Sequence, residues 1–273
     1  MTKLLDFLQH LFDKGYSWST IAVHRSAVSS VLEGHCPDPV GKHPTVSRFL
    51  RGVFNRRPPA SRVVPIWDVN QVISSLSAFH PPEEMDLPTL SKKVAFLLAT
   101  CTAKRVSDLL LFSVADSLCH LSEDCIVLQT AFGSKTDRPS HRAPPVKLLR
   151  CADRRLCPVS YLKEYIRRTG PLRGGATQLF LSVSAPHRPV TLPTLKRWIS
   201  SVLLDAGVVA SPGSTRAAVT SCAVLRDVPL QTIMDCADWS RQSTPLRHYL
   251  RVLPKDALRA AGERTVQAAV LGD

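Results

Sequence analysis

No apolar run in this sequence approaches the roughly 18 residues that a membrane-spanning helix requires. The first residues, MTKLLDFLQHLF, also lack the small-residue cleavage site of a secretory signal. Internal repeats and low-complexity tracts are absent as well. These absences argue against a membrane, secreted or repeat protein, and we expect a soluble intracellular chain with no membrane partner.

Zinc-binding cysteine motifs are also missing. The eight cysteines form no Cys-x-x-Cys pair, and no histidine stands at zinc-ligand spacing from them. Several lie in apolar runs, such as Cys101 after AFLLAT and Cys222 after AAVTS. We therefore predict buried, reduced thiols of the kind found in a reducing compartment, and no metal site.

Acidic residues are few compared with basic ones. The 35 lysines and arginines outnumber the 22 aspartates and glutamates, which gives a formal net charge of +13. An excess of this size favours a polyanionic partner such as nucleic acid. On charge alone, the alternative is a solvated basic surface with no partner.

The chain length and the periodicity of apolar residues predict two domains and a tail. At 273 residues the chain is long for one typical domain. Its first part has apolar residues at helical spacing, and the segment RRPPASRVVP that follows has the prolines and basic residues of a linker. We predict a helical domain at 1–60, a larger domain at 66–254 and a helical tail at 255–273.

The middle of the chain changes character. CIVLQT and PVKLLR are short apolar segments that flank AFGSKTDRPSHRAP, which has the Gly, Ser, Asp and Pro residues of an exposed turn. This pattern predicts an antiparallel hairpin, whereas the segments on both sides have helical spacing. The predicted fold class is therefore mainly α with a small antiparallel β-sheet.

Candidate catalytic residues stand in five separate motifs. In chain order they are Arg105, Lys135, Arg216, Trp239 and Tyr249. A planar guanidinium binds two phosphate oxygens at once, so the two arginines could hold a phosphodiester and stabilise its transition state. Arg105 lies near the start of a predicted helix that continues through SDLLLF, and Asp108 follows on the same helical face, where it could orient the guanidinium. For any one arginine, the alternative is a surface salt bridge.

The other three candidates have chemistry that fits a phosphodiester as well. A lysine on an exposed turn could protonate a departing oxygen, a phenol near cations could act as a nucleophile, and an indole N–H could donate to phosphate. The alternatives are a solvated charge at Lys135 and core packing at Trp239 and Tyr249.

The order of these five residues resembles the catalytic set of the tyrosine recombinases, the phage-integrase-like enzymes. More narrowly, VGKHPTVSRFLRG, PIWDV after the linker, STRAA, and ADWS ahead of Tyr249 are similar to the recombinases of DIRS-type retrotransposons of animals. The resemblance extends over nearly the whole chain. Each motif is weak alone, and only their joint order is specific.

The resemblance implies a fold and a reaction. The fold would be an N-terminal SAM-like helical core-binding domain and a mixed α/β catalytic domain, closing together around double-stranded DNA. The reaction would form a covalent 3′-phosphotyrosyl link and release a 5′ hydroxyl, with no metal and no cofactor. Arg105 and Arg216 would clamp the phosphate, Lys135 would be the general acid and Tyr249 the nucleophile, while Trp239 would stand where relatives have His or Trp.

Two departures from the family pattern suggest a less active protein. Relatives carry a histidine three residues before the second arginine, where this chain has Gly213. Without that imidazole, a rate loss of about 10²–10⁴ is expected. The first domain is also short for the family, as if an N-terminal helix were missing. The alternative to a recombinase is therefore a DNA-binding relative with impaired catalysis.

Expectations about DNA, partners and location follow from the same resemblance. Homo-oligomers, either dimers or tetramers, are expected on DNA, and the tail either docks into a neighbouring subunit or packs on its own domain. A DNA substrate implies a nuclear location.

Type IB topoisomerase chemistry uses the same residues, but the linker features of those enzymes are not evident here. The predicted DNA-binding residues are Arg48, Arg51, Arg56, Arg57 and Arg62.

Overall fold

A computed structural model describes residues 2–35, 39–59 and 67–240. The chain divides into two compact units, Met1–Val63 and Val64–Asp273. In the described part, helices predominate and one small antiparallel sheet is present. Among the same residues, no helix has both the length and the apolar character needed to span a membrane.

The first unit consists of three helices around a small apolar core. They are α1 (Thr2–Asp13), α2 (Trp18–Val31) and α3 (Pro44–Arg56). Each buries residues three or four positions apart, which is the spacing that places side chains on one helical face. The core residues are Leu4, Leu8, Leu11, Ile21, Val46, Leu50 and Val53.

Polar caps set where these helices begin. Ser17 accepts a hydrogen bond from the backbone N–H of Thr20 and so starts α2. His43 caps α3 through Nδ1, which accepts from the N–H of Thr45, and Pro44 occupies the first helical turn.

Arg57, just after α3, closes the end of α1. Its guanidinium donates to the carbonyl oxygens of Phe12 and Tyr16, at 3.2 and 2.7 Å, and lies 4.3 Å from the centre of the Phe12 ring. Carbonyls at a helix C-terminus lack intrahelical partners, and a cation there is favourable. The structure thus gives Arg57 a role inside its own unit.

The described helices of the second unit are arranged around one of their number, α5. They are α4 (Val69–Ser77), α5 (Leu87–Thr102), α6 (Val106–Leu109), α7 (Pro158–Thr169), α8 (Leu192–Asp205), α9 (Ser214–Leu225) and α10 (Leu230–Ala237). α5 buries most of its residues and packs on α7, α8 and α9. A helix that is apolar on nearly every side belongs in the middle of a core.

One buried charge lies in that core. Lys93 on α5 is 1% exposed, and its ammonium donates to the carbonyl oxygens of Leu76, Phe79 and Arg155 at 2.5–2.8 Å. The ammonium also lies 4.0 Å from the centre of the Tyr161 ring. Leu76 belongs to the last turn of α4 and Phe79 follows it, so Lys93 connects the end of α4 to the segment around Arg155.

The sheet has three strands in the order β1-β2-β3, all antiparallel. They are β1 (Cys119–Leu121), β2 (Cys125–Leu128) and β3 (Val146–Leu149), with Ile126 opposite Leu148. The predicted hairpin is confirmed as β2 and β3. β1 was not predicted, because three residues with one buried side chain carry too little alternation to be recognised.

Two expectations from the sequence are wrong. The helix after Arg105 was expected to continue through SDLLLF, but α6 ends at Leu109 after a single turn. The cysteines were expected to be buried, yet of those described only Cys119 and Cys157 are. Membership in an apolar run did not reveal which side of the helix a thiol occupies.

Candidate active site

Arg105 occupies the N-cap position of α6. Its Nη1 lies 3.4 Å from Oδ2 of Asp108, three residues later, as the spacing predicted. The Asp108 side chain is 6% exposed and that of Arg105 is 30% exposed. At 3.4 Å the contact is an ion pair rather than a short hydrogen bond, so it orients the guanidinium without occupying all its N–H groups.

Asp108 also connects α6 to the loop between β2 and β3. Its Oδ1 accepts from the hydroxyl of Ser134 at 3.3 Å and, more distantly, from that of Ser107 at 3.5 Å. Ser134 directly precedes Lys135. One carboxylate therefore holds both the first arginine and the base of the loop that carries the predicted general acid.

The tip of this loop is closed by its own hydrogen bonds. Asp137 Oδ2 accepts the backbone N–H groups of Gly133 and Ser134 at 2.9 and 2.8 Å. These bonds, the one from Gly133 above all, lower the pKa of the Asp137 carboxyl. Lys135 is exposed at the tip. Its backbone is held in place while its ammonium lies in solvent.

A second anchor joins the same loop to the tryptophan motif. The Thr136 hydroxyl donates to Oδ2 of Asp238 at 2.9 Å, and His141 Nε2 lies 3.2 Å from Oδ1 of the same carboxylate. Asp238 ends α10 with a left-handed backbone, φ +52°. That turn directs the chain into Trp239, so the loop and the tryptophan are fixed to each other.

Arg216 lies in the first turn of α9 and is 3% exposed. Its Nη2 donates to the carbonyl oxygen of Ala237, and its Cζ lies 4.7 Å from the centre of the Trp239 ring. Trp239 is itself 6% exposed. A guanidinium on the face of an indole is held by a cation–π interaction as well as by packing, which fixes the second arginine against the tryptophan.

Arg105 and Arg216 line one cavity of about 290 Å³. Gly213 and the lysines Lys104 and Lys196 contribute to the same wall. Lys135 is not among the described residues that line it. The fold thus brings together the two predicted arginines and the position of the missing histidine, which are up to 111 residues apart in sequence, and leaves the loop lysine outside.

Gly213 is the N-cap residue of α9, with an ordinary right-handed backbone, φ −68° and ψ −20°. A Cβ added there would meet no atom within 4 Å. A Cβ can therefore be added at this position without a clash and without backbone strain. Among the described residues lining the cavity there is neither an imidazole nor a carboxylate.

The N-terminus of α9 is also held from the start of the second unit. Trp67 Nε1 donates to the hydroxyl of Ser214 at 2.9 Å, and the Trp67 ring packs near Phe96 of α5. Ser214 in turn donates to the carbonyl of Ser211. The segment that carries Gly213 and Arg216 is thereby fixed against the central helix.

Several predicted residues lie outside the described residues. They are the nucleophile Tyr249, the linker residue Arg62 and the tail at 255–273. In the first unit, Arg48, Arg51 and Arg56 are exposed on α3. Arg57 is half-buried and engaged at the end of α1, so we leave it out of the candidate DNA-binding surface.

Four residues with clear roles at the site were not predicted. They are Lys104, Ser134, Thr136 and Asp238. The last three hold the loop to the Arg105 motif and to the Trp239 motif. Their position in the sequence was the available signal, since Ser134 and Thr136 flank Lys135 and Asp238 precedes Trp239. Lys104 also adjoins a predicted residue, Arg105, yet one lysine at the end of an apolar helix does not reveal whether it is buried.

The sequence matches no protein-family model and no curated protein. Solved structures do match. XerH site-specific recombinase, in a post-cleavage complex with a palindromic difH substrate, has a TM-score of 0.63 and 14% identity over 100% of this chain and 72% of its own. The Tn1549 transposon integrase, in complex with transposon right end DNA, has a TM-score of 0.60 and 15% identity over 96% and 84%.

A third match is a lambda integrase dimer bound to a COC′ core site, with a TM-score of 0.52 and 13% identity over 93% of this chain and 81% of its own. The fold is that of the tyrosine recombinases. At these identities the likeness concerns the fold, and it confirms the predicted class, mainly helical with a small antiparallel sheet.

Proposed function

We propose that this chain is a tyrosine recombinase that breaks and rejoins double-stranded DNA. The observation that supports this most is that Arg105 and Arg216 line one cavity within the tyrosine-recombinase fold. Two guanidinium groups around a space of this size can hold the non-bridging oxygens of one phosphodiester.

In the proposed reaction, the Tyr249 hydroxyl gives its proton to a water molecule while its oxygen attacks the phosphorus and forms a 3′-phosphotyrosyl bond. The bond from phosphorus to the 5′ oxygen breaks, and that oxygen takes a proton to leave as a hydroxyl. Rejoining is the reverse. Charge that develops on the non-bridging oxygens would be stabilised by Arg105 and Arg216, which Asp108 and Trp239 hold in place before DNA arrives.

Lys135 is the proposed donor of that proton. Its exposed ammonium lies on a loop whose neighbouring hydroxyls are anchored to Asp108 and Asp238. This arrangement fixes the backbone and leaves the four-carbon side chain free to enter a groove of bound DNA. General acid help of this kind contributes about 10²–10⁴ in rate.

DNA as the substrate is supported by charge as well as by the site. The net charge of +13 and the exposed Arg48, Arg51 and Arg56 on α3 suit phosphate contacts, and affinity should fall steeply as salt rises. The XerH, Tn1549 and lambda proteins were all solved on DNA, the last as a dimer. We propose assembly as a homo-oligomer on DNA.

A second candidate is a DNA-binding relative with impaired catalysis. It is favoured by the described lining of the cavity, which offers four cations and no base to accept the phenol proton. Gly213, where relatives have histidine, leaves open space in its place. Such a protein would retain the clamp and its affinity for DNA while forming little or no covalent product.

The proposed origin is a DIRS-type retrotransposon, and the proposed location is the nucleus. The origin is supported only by the sequence motifs around VGKHPTVSRFLRG and ADWS, and the location only by the DNA substrate. A reverse-transcriptase reading frame beside this gene would support the origin. Its absence from all genomic copies would count against it.

A covalent trap separates the two candidate functions. A nicked suicide DNA loses its leaving strand after cleavage, so a tyrosine recombinase should accumulate a covalent adduct visible on a denaturing gel. Tyr249→Phe should abolish the adduct, whereas Tyr16→Phe, an exposed tyrosine of the first unit, should not. Salt-sensitive DNA binding without any adduct would overturn the recombinase and favour the impaired relative.

A further inference from the structure

Lys104 is a buried lysine at the turn between α5 and α6. Ala103 ends α5 with a left-handed backbone, φ +47°, and Arg105 begins α6. A left-handed backbone is unfavourable for alanine, so packing must hold this turn in place. The backbone N–H of Lys104 donates to the Thr102 hydroxyl. The turn leaves Lys104 only 4% exposed.

The charges around Lys104 are those of the candidate site. Burial lowers the pKa of its ammonium, and the neighbouring Arg216 guanidinium acts in the same direction, while the carboxylates of Asp238 and Asp108 oppose them. Both carboxylates already accept other hydrogen bonds, from Thr136 and from Ser134. The carboxylates that act on the charge of Lys104 are therefore the same two that hold the loop.

The ammonium donates no hydrogen bond to any described residue, in contrast with Lys93. A nearly buried ammonium that makes no hydrogen bond within the protein needs water or an anionic ligand to compensate for its lost solvation. Lys104 borders the cavity that Arg105 and Arg216 also line. It borders a second cavity as well, of about 250 Å³, with the exposed Lys147 on its wall.

We propose that Lys104 is a third cationic ligand for the phosphate group in the cavity of Arg105 and Arg216. This inference rests on the proposed function for the identity of that phosphate, a DNA phosphodiester, although the same chemistry would bind free inorganic phosphate. The roles proposed for Lys104 and Lys135 are different. It contacts phosphate from inside the fold, whereas Lys135 approaches the leaving oxygen from an exposed loop.

The first arm of the test uses inorganic phosphate without DNA. A ligand that binds only the folded protein raises its unfolding temperature, by an amount that grows with the logarithm of the ligand concentration divided by Kd. Phosphate should therefore stabilise the unmodified chain, and Lys104→Met should weaken the apparent affinity about 10-fold or more. Lys147→Met, on the wall of the second cavity only, is the matched control and should leave the affinity unchanged.

The second arm uses suicide DNA with a neutral methylphosphonate at the scissile position. If Lys104 contacts a charged oxygen, Lys104→Met should slow adduct formation about 10- to 100-fold on ordinary DNA, and by much less on the methylphosphonate. The difference between the effects of Lys104→Met on the two DNAs measures the coupling between Lys104 and the charged oxygen, as in a double-mutant cycle. A purely structural effect would slow the reaction equally on both DNAs. Lys104→Gln repeats the test if the Met variant does not fold.

The outcomes distinguish the inference from the proposed function. Equal losses on both DNAs, with unchanged phosphate affinity, would overturn the role of Lys104 while the recombinase stands. Equal effects of Lys104→Met and Lys147→Met would place the ammonium in the second cavity and overturn it as well. If no adduct forms with the unmodified chain, the proposed function fails, and the phosphate arm still decides whether Lys104 binds the anion.

Discussion

Two buried lysines at opposite ends of the α5 region face different surroundings. Lys93 is enclosed, with three carbonyl oxygens within 2.8 Å of its ammonium and an aromatic ring beneath it. Lys104 borders a cavity lined by two arginines, and the charges near it belong to the candidate site. Both are almost inaccessible to solvent, so burial alone does not tell structural charges from functional ones.

The difference lies in how each charge is satisfied. Burial lowers the pKa of Lys93 to about 8, while its three carbonyl acceptors favour the charged form and join three separate chain segments. Removing such a group removes these hydrogen bonds and destabilises the fold. A charge that borders a cavity can change with little loss of stability, because its partner is the ligand.

The largest expected effect is on stability, at Lys93. Lys93→Met keeps the apolar stem but removes three charge-assisted hydrogen bonds and the contact with the Tyr161 ring, so the free energy of unfolding should fall by about 3–5 kcal/mol. Lys104→Met, also a buried lysine, should change it by less than about 1 kcal/mol. Chemical denaturation of the two variants checks this, and equal losses would abolish the distinction between the two regions.

The next effect is on chemistry, at the two arginines. Arg105→Lys keeps the charge but loses the planar two-point contact, so adduct formation on suicide DNA should slow about 10²–10³-fold. The unfolding free energy should change little, because Arg105 is partly exposed. Arg138→Lys, an exposed arginine of the same loop as Lys135, is the control. A normal rate for Arg105→Lys would contradict the phosphate clamp.

A gain of activity is expected at Gly213. Gly213→His adds an imidazole at the cavity in open space and an unstrained backbone. If a missing base limits the reaction, adduct formation should rise about 10-fold or more, and more at pH 7.5 than at pH 5.5, where the imidazole is protonated. Gly213→Gln, a polar side chain that cannot accept the proton, should bring no gain. An unchanged rate with histidine would show that the base is not the defect.

The smallest effects separate two arginines of the first unit. Arg57→Ala should lower stability by about 1–2 kcal/mol, because two carbonyls at the end of α1 lose their donor. Arg51→Ala should leave stability unchanged. It should make the slope of log binding constant against log salt concentration shallower by about one, because one phosphate contact is lost. Denaturation followed by Trp18 fluorescence and DNA titrations at several salt concentrations measure both. Reversed effects would mean that Arg51 is the structural residue.

Sequence reasoning predicted the elements well wherever local chemistry decides them. The helical spacing of apolar residues correctly predicted a helical first unit, and the turn GSKTD lies between two strands as expected. The same reasoning missed β1 and the early end of α6, because both depend on contacts with distant residues. It also grouped Arg57 with the DNA-binding residues, since a basic side chain after a helix looks the same whether it caps a neighbour or faces solvent.

The sequence by itself determined the order of helices and strands, the excess of positive charge and the motifs around Arg105, Lys135, Arg216 and Trp239. Only the tertiary structure decided that Arg105 and Arg216 share one cavity, that Ser134 and Thr136 fasten the loop, and that Lys104 is buried beside them. Helix and strand periodicity are local properties of the chain. Which side chains meet across 111 residues depends on how the helices pack around α5, and no local pattern encodes that.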